Sequence, residues 1–290
     1  MRLRPATAAD AEAATALIIA VDIDQLGEAD YSHEVLLDEW GEVDFELAKD
    51  AVALEDAEGT LIAYAHFRGG DLLAVVDPTR EGEGAGTALL EWAERRGREK
   101  GLKQLRQAVG NRGASSFALL QAAGWAYVRS FWRMERDSRA GDEEPPGLRA
   151  VTAADAPALW VIHEAAFSRV GGYRPMAEDA WIQREFSSHN FDAALGRVAE
   201  RDGAPVGFAL ARRWEQDTVY VPLLAVHPDH AGGGLGGALL TGVFAAVARA
   251  GLRQVQLNVA ADNPNAVRLY ERVGMSQRWR ADEYQKPLPD

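Results

Sequence analysis

Cysteine is absent from all 290 residues. Its absence excludes disulfides, thiolate metal sites and any covalent route through a protein thiol, so no group can be carried as a thioester of the chain itself. Positive charge is also short. Lys and Arg total 31 against 44 Asp and Glu, a formal net charge of −13. That balance disfavours nucleic acid or an anionic membrane as the main partner, and any anionic ligand has to be held locally. No apolar run approaches the ~20 residues that cross a bilayer. The first ten residues, with Arg2, Arg4 and Asp10, lack the apolar core of a secretory signal. The chain therefore reads as cytoplasmic. Histidine is sparse, at 6, and His227 and His230 have no third ligand nearby in sequence, so they read as loop residues and no metal is expected.

What is present is ample for folding. Hydrophobic residues make up 47% and charged residues 26%, which is globular composition, and the length favours two domains over one. An internal repeat supports the pair. Leu3-Arg4-Pro5-Ala6-Thr7-Ala8-Ala9-Asp10 recurs as Leu148-Arg149-Ala150-Val151-Thr152-Ala153-Ala154-Asp155. Val76-Asp77-Pro78 and Gly84-Ala85-Gly86-Thr87-Ala88-Leu89-Leu90 recur, 150 residues on, as Val226-His227-Pro228 and Gly234-Leu235-Gly236-Gly237-Ala238-Leu239-Leu240. Gly101-Leu102 and Gly124-Trp125 keep that spacing with Gly251-Leu252 and Gly274-Met275. The copies occupy 1–136 and 147–290. The charged, Pro- and Gly-containing stretch 137–146 reads as a linker.

Each copy reads as mixed α/β. Leu3-Arg4-Pro5 and Leu148-Arg149-Ala150 open as short strands, and Thr7 and Thr152 are N-cap candidates. Hairpins follow at 51–54 with 61–65, and at 195–199 with 206–210 across Asp202-Gly203. In the second copy come a strand 219–226, a glycine loop, a helix 237–250, a strand 254–259, a helix 265–273 and a closing strand.

Gly232-Gly233-Gly234-Leu235-Gly236 lies between an apolar strand and a helix. Backbone N–H groups and the positive end of a helix dipole can receive phosphate oxygens there; alternatively the glycines serve only a tight turn. Gly232-x-Gly234-x-x-Gly237 also satisfies a loose dinucleotide fingerprint, but no acidic residue follows at Gln256-Leu257-Asn258 to bind a ribose. No Lys-Ser/Thr pair follows the glycines, so a P-loop is excluded too.

The ordered set Val226-x-Pro228, the glycine loop, and Asn263-x-x-Ala266-x-x-Leu269-Tyr270-x-x-x-Gly274-Met275 resembles the GNAT superfamily of acyl-CoA-dependent N-acyltransferases. The two-copy arrangement is similar to that of the mycothiol synthase family. The resemblance implies an α/β fold of two tandem GNAT domains, each a mixed, mostly antiparallel sheet with a splayed central strand flanked by helices. It also implies acetyl-CoA as cosubstrate. By this resemblance Leu224, Ala225, Val226, Ala231, Gly232, Gly233, Gly234, Leu235, Gly236, Gly237, Asn263, Ala266 and Tyr270 bind the coenzyme. The Leu224 N–H faces the acyl carbonyl, and Tyr270 stands where the family has its thiolate proton donor. The expected partner is a small-molecule amine, acetylated directly by a monomer or homodimer. Acetylation of a cysteinyl sugar amine and a non-catalytic acyl-CoA sensor are the alternatives.

The first copy departs from the pattern. Leu120 and Gly113 stand in the places of Tyr270 and Asn263, and Glu81 occupies a position usually Arg or Gln. Gly82, Gly84 and Gly86 remain. It is therefore expected to be degenerate, serving as structure or as one wall of the substrate site. In the second copy Ala231 fills the Arg/Gln position and Tyr220 the position of a common glutamate base. Asp217, Glu215, Glu164 and His163 are nearby candidates for that base. Phe167, Tyr173, Trp181, Phe186 and Phe191 either line an acceptor pocket or pack as core. The acidic run with Asp22, Asp24, Glu28, Asp30, Asp38, Glu39, Glu42 and Asp44 either attracts a cationic amine or is a solvated face.

Overall fold

The computed structural model describes residues 1–168, 173–214 and 217–289. The elements of the first copy are β1 (Arg2–Pro5), α1 (Ala11–Leu26), α2 (His33–Trp40), α3 (Leu47–Asp50), β2 (Ala51–Glu55), β3 (Leu61–Arg68), β4 (Asp71–Val76), α4 (Ala85–Glu99), β5 (Gln104–Gly110), α5 (Ala114–Ala122) and β6 (Ala126–Asp137). The second copy repeats the order with β7 (Leu148–Ala150), α6 (Ala156–Phe167), α7 (Glu178–Phe186), β8 (Arg197–Arg201), β9 (Ala204–Ala209), β10 (Arg212–Arg213), β11 (Thr218–Tyr220), β12 (Leu224–Val226), α8 (Leu235–Arg249), β13 (Gln254–Ala260), α9 (Pro264–Arg272) and β14 (Ser276–Pro287). Among the described residues no helix is long and apolar enough to cross a membrane.

The two openings are built alike. Thr7 and Thr152 each start a 3-10 turn, and the acid three residues on folds back. Asp10 accepts from the Thr7 N–H at 2.7 Å and from both Arg4 Nη atoms at 2.8 and 2.6 Å; Asp155 accepts likewise from Thr152 and Arg149. Arg4 first, and the Thr7 donors, hold the Asp10 carboxyl down at about 2, and Arg149 and Thr152 hold Asp155 at about 2.

The chain divides into two compact units. Unit 1 is Met1–Phe131 with Trp279–Asp290, and unit 2 is Trp132–Arg278. This division differs from the repeat boundaries at 136 and 147 in one respect: the closing strand of each copy runs into the unit of the other. In unit 1 the strand order is β1-β2-β3-β4-β5-β14, with β14 antiparallel to β5 from Ala281↔Gly110 to Pro287↔Gln104. In unit 2, β13 is flanked by β11 and β6.

Side-chain volumes explain the exchange. A Cβ at Gly97 of α4 would lie 2.6 Å from Leu288 Cδ1, so the absence of a side chain there admits Leu288, which is 4% exposed. The repeat counterparts are reversed in size: fully buried Val247 stands for Gly97, and Ser138 for Leu288. The Ser138 N–H donates to Arg253 C=O at 2.7 Å, just as Leu288 donates to Lys103 C=O at 2.9 Å. Unexchanged strands would set Leu against Val in one unit and Ser against Gly in the other, overpacking the first and leaving a void in the second. The linker stretch is also tied down within unit 2, where Glu144 accepts from Arg249 at 2.6 Å and pairs with Arg197 at 2.5 Å.

Most of the strand pairs among the described residues are antiparallel; β4 with β5 in unit 1 and β11 with β13 in unit 2 are parallel. The strand expected over 219–226 is two strands. β11 stays beside β13, whereas β12 joins the separate sheet β12-β9-β8-β7. Helix α8 packs Leu239, Leu240, Val243, Phe244 and Val247 into the core between them, each such side chain contributing about 1.5–3 kcal/mol by leaving water.

Candidate active site

The glycine loop joins β12 to α8. The His227 N–H closes the β9 ladder on Val206 C=O at 2.9 Å, a short 3-10 turn follows, and the Ala231 N–H is taken by Pro228 C=O at 3.2 Å. Gly232 and Gly234 adopt φ of 86° and 79°, which a side chain would strain. The first bond of α8 runs from the Ala238 N–H to Gly234 C=O at 3.0 Å. The amides of Leu235, Gly236 and Gly237 thus precede any acceptor the helix can offer, one turn from the positive end of its dipole. A Cβ at Gly232, Gly233 or Gly234 would meet nothing within 4 Å. That open cradle of N–H groups fits a diphosphate. Gly236 has a different purpose, because a Cβ there would lie 2.9 Å from Leu269 Cδ1; the missing side chain lets α9 lie close against α8. Gly237 makes only an ordinary 3.7 Å approach to Val273.

The gap between β12 and β13 begins above the last parallel pair, Tyr220↔Gln256, where the Val221 N–H still donates to Gln256 C=O at 2.8 Å. Pro222 follows, and its missing N–H falls where the β10–β11 ladder would next bond Leu210, so the pairing shifts by one residue. On the β9 side, Leu210 donates to Leu223 C=O at 2.9 Å and Leu224 and Val226 face Ala209 and Gly207. This phase makes both pairs of the non-hydrogen-bonded kind, so the Leu224 and Val226 amides turn away from β9 and into the gap. The Leu224 N–H, expected to face a ligand, is not used by β9.

Tyr270 lies on α9, 8% exposed, packed with Val267, Leu257 and Met275. Among the described residues its hydroxyl has no hydrogen-bond partner. Burial first, and then Tyr220, push its pKa up to about 12. The nearness of Tyr220 brings the hydroxyl toward the β11 end of the gap. A phenol so poised is a neutral hydrogen-bond donor at any physiological pH. Asn263 caps α9, its Oδ1 accepting from the Ala266 N–H at 3.1 Å. Its carbonyl and that amide are therefore committed to each other, which leaves the Asn263 NH2 as the group free to face a ligand.

On the face of β13 away from α8, the Arg133 guanidinium lies 4.9 Å over the Tyr220 ring and donates to Gln256 Oε1 at 3.2 Å. Arg133 belongs to the exchanged strand β6, so sequence order alone gave no reason to connect it with this site. Of the base candidates, Asp217 accepts the N–H of Arg253 and of Gln254 through its backbone carbonyl, and Glu215 lies outside the described residues. Glu164 accepts from the Tyr173 hydroxyl, and its Oε1 is 3.5 Å from His163 Nδ1. Burial holds the His163 pKa below the usual imidazole range, against the opposing pull of Glu164 and Glu185. His163 is enclosed by Phe167, Trp181 and Tyr173 at ring distances of 4.8, 5.3 and 5.6 Å. Trp181 is fully buried, and Phe186 and Phe191 pack beside it, so these aromatics form the core beneath β12. Among the described residues no three acidic or histidine side chains gather as a metal site. His227 Nδ1 accepts from the Asp229 N–H at 3.3 Å, a turn-capping contact.

Unit 1 holds the same parts differently. Gly82 and Gly84 keep φ of 80° and 88° and open space. Beside them the Ser115 hydroxyl donates to Glu81 at 2.6 Å, and Arg80 holds Glu83 at 2.9 Å. Leu120 is a buried core residue, and Gly113 caps α5 without a side chain. The counterpart of Leu224 is Ala74, whose amide also turns away from its ladder, since Asp77 donates to Ile62 C=O and Ala74 faces Ala65. Here the Gln107 side chain takes both groups: the Ala74 N–H donates to Oε1 at 3.1 Å, and Nε2 donates to Ala74 C=O at 3.3 Å. Unit 1 also lacks a residue in this strand. Three positions separate Asp71, paired with Arg106, from Ala74; four separate Tyr220, paired with the counterpart Gln256, from Leu224. The extra residue is a bulge, which bends a strand out of its ladder. At least half of the acidic run is bound internally: Glu39 and Glu42 receive Arg68, Glu28 receives the Trp279 indole N–H, and Asp22 receives the Asp30 N–H.

The family model described as Acetyltransferase (GNAT) family matches residues 157–275. A protein of Actinosynnema mirum named mycothiol acetyltransferase is 32% identical over 244 residues, spanning 79% of this chain and 81% of its own length. One of that name from Thermomonospora curvata is 31% identical over 261 residues, 83% and 84% of the two chains. Among solved structures, a GCN5-related N-acetyltransferase from Sphaerobacter thermophilus superposes with a TM-score of 0.80 at 27% identity, covering 100% of this chain and 96% of its own. A tandem GNAT protein from the clavulanic acid biosynthesis pathway shares the fold, with a TM-score of 0.69 at 16% identity and coverage of 100% and 99%. With the cradle, the split strand and the buried tyrosine in place in unit 2, the chain belongs to the GNAT family of acetyltransferases and is an acyl-CoA-dependent N-acetyltransferase.

Proposed function

We propose that unit 2 moves an acetyl group from acetyl-CoA directly to a primary amine of a small molecule, with both substrates bound at once. The observation that carries this reading is the Leu224 amide, turned out of its ladder at the mouth of a gap whose far end is the open Gly232–Gly234 cradle. The cradle and the N-terminus of α8 hold the diphosphate. The edge of β12 receives the amide-bearing arm, as a strand edge receives another strand. The Leu224 N–H then donates to the acyl oxygen as negative charge develops there, a preorganised donor of the kind that lowers such barriers most. The amine nitrogen forms a bond to the acyl carbon, the carbon–sulfur bond breaks, and sulfur leaves with the electron pair. Tyr270 donates a hydrogen bond to that sulfur. A phenol near 12 gives a thiolate stabilisation more readily than it gives up its proton, so the proton lost by the amine is the one that finally converts the thiolate to the thiol.

The amine must arrive uncharged. The cationic Arg133 over Tyr220 disfavours an ammonium beside it, which supports deprotonation through water rather than through one fixed carboxylate. The name borne by the Actinosynnema and Thermomonospora relatives makes a cysteinyl sugar amine the first acceptor to assay. Coenzyme release from acetyl-CoA with a panel of amines tests the reading. Amine-dependent release is expected; tight binding of acetyl-CoA with no release for any amine would replace the enzyme with a sensor.

A further inference from the structure

We infer that Gln107 is a built-in occupant of the acyl slot of unit 1, and that position 107 in one copy and 257 in the other assigns the thioester to a single unit. The inference rests on the reading that the gap beside Leu224 is where unit 2 holds the acyl group.

A carboxamide has one acceptor and one donor end. Gln107 presents both to Ala74, satisfying the N–H and the C=O that an incoming amide-bearing arm would need. Its own strand position allows this. Gln107 lies on β5 opposite Leu72, the last parallel pair before β4 and β5 part, and its side chain reaches forward into the space where they diverge. The second donor proton of Nε2 goes to Ala108 C=O at 3.1 Å, so the side chain is held at three points. Such a plug replaces a ligand without the entropic cost of bringing one from solution.

Among the described residues of unit 2 no side chain bonds the Leu224 amide. The counterpart of Gln107 is Leu257, 2% exposed within the core cluster that includes Tyr270 and Val259. An isobutyl group cannot bond the Leu224 amide. The positive-φ glycines survive in both units, so the backbone of the cradle does not by itself separate them, whereas the acyl end differs at position 107. Unit 1 is therefore closed to acyl groups by one side chain while its fold is intact.

Reciprocal substitutions of the full chain test this. In Gln107→Leu, exchange of the Ala74 amide measured by NMR should quicken at least 10-fold over wild type, with the neighbouring β3–β4 amides unchanged. Equal exchange in the two proteins would overturn the inference. In Leu257→Gln, kcat/KM for acetyl-CoA should fall at least 100-fold, while adenosine 3′,5′-bisphosphate, which bears no acyl arm, is bound as by wild type. Leu257→Met controls for packing and should stay within 5-fold. A Leu257→Gln enzyme that is folded and keeps wild-type kcat/KM would also overturn the inference. Should wild type neither bind nor turn over acetyl-CoA, the functional reading fails, and the Ala74 exchange experiment still decides whether Gln107 fills the slot.

Discussion

Two clefts made from one ancestral pattern stand in this molecule, and they differ by few side chains. In unit 2 a bulged strand turns the Leu224 amide into a gap, Tyr270 sits above it, and Leu257 leaves it unfilled. In unit 1 the strand has no bulge, Leu120 replaces the phenol, and Gln107 bonds the exposed amide. The openings of the two copies, by contrast, keep the same Arg–Asp–Thr network bond for bond. Side chains at a cleft can change while the fold is kept: a backbone amide turned out of its ladder must still be satisfied, and in unit 1 a nearby glutamine does so.

The sharpest way to break the contrast is to make unit 2 resemble unit 1 at its hydroxyl. Tyr270→Phe should lower kcat by about 10²–10³ if the phenol's hydrogen bond stabilises the leaving sulfur, read in single-turnover kinetics; an unchanged chemical step would leave Tyr270 as packing. Strand exchange gives the next largest effect. Leu288→Ala should cost unit 1 about 2–4 kcal/mol through the cavity left beside Gly97, and denaturant unfolding should show unit 1 melting ahead of unit 2. If both units weaken equally, the side chain does not belong to unit 1 alone.

Where the units agree, acid should find them alike. Asp10 and Asp155 titrate near 2 when folded and near 3.8 when free. Each therefore contributes about 2 kcal/mol that is fully present above the free value and is lost as pH falls toward 2. Asp10→Asn and Asp155→Asn should each flatten the acid limb of a stability-against-pH curve by a similar amount, and a one-sided response would mean the networks are not equivalent. The smallest effect concerns Asn263. Removing the cap with Asn263→Ala should cost about 1 kcal/mol of stability, with KM for acetyl-CoA nearly constant if capping is its whole role; a large rise in KM would assign its NH2 to the coenzyme.

Much of the site could be read in advance because its signals are local. Gly232 and Gly234 mark positive φ before a helix, and the spacing from Asn263 to Tyr270 and Gly274 sets one helix against it. The helix nonetheless begins at Leu235, since Gly234 already serves as its cap. The undivided strand over 219–226 failed at Pro222, whose consequence depends on two different neighbours, β10 and β9. Gln107 and Arg133 were passed over for the same reason, and Gly236, expected to bind the coenzyme, instead makes room for Leu269. A glutamine in a strand, an arginine two residues past a tryptophan's neighbour and one glycine among several carry no mark until their partners are known.

The order of residues alone determined the duplication, the glycine turn before a helix and the family, because each depends on spacings of a few residues along one strand or helix. It could not say which copy of a closing strand belongs in which unit, since both have the same length and alternation and either could satisfy the same backbone ladder. That choice is made where Leu288 meets Gly97 and Val247 stands in the place of a glycine, and complementary volumes of residues nearly two hundred positions apart exist only once the chain has folded.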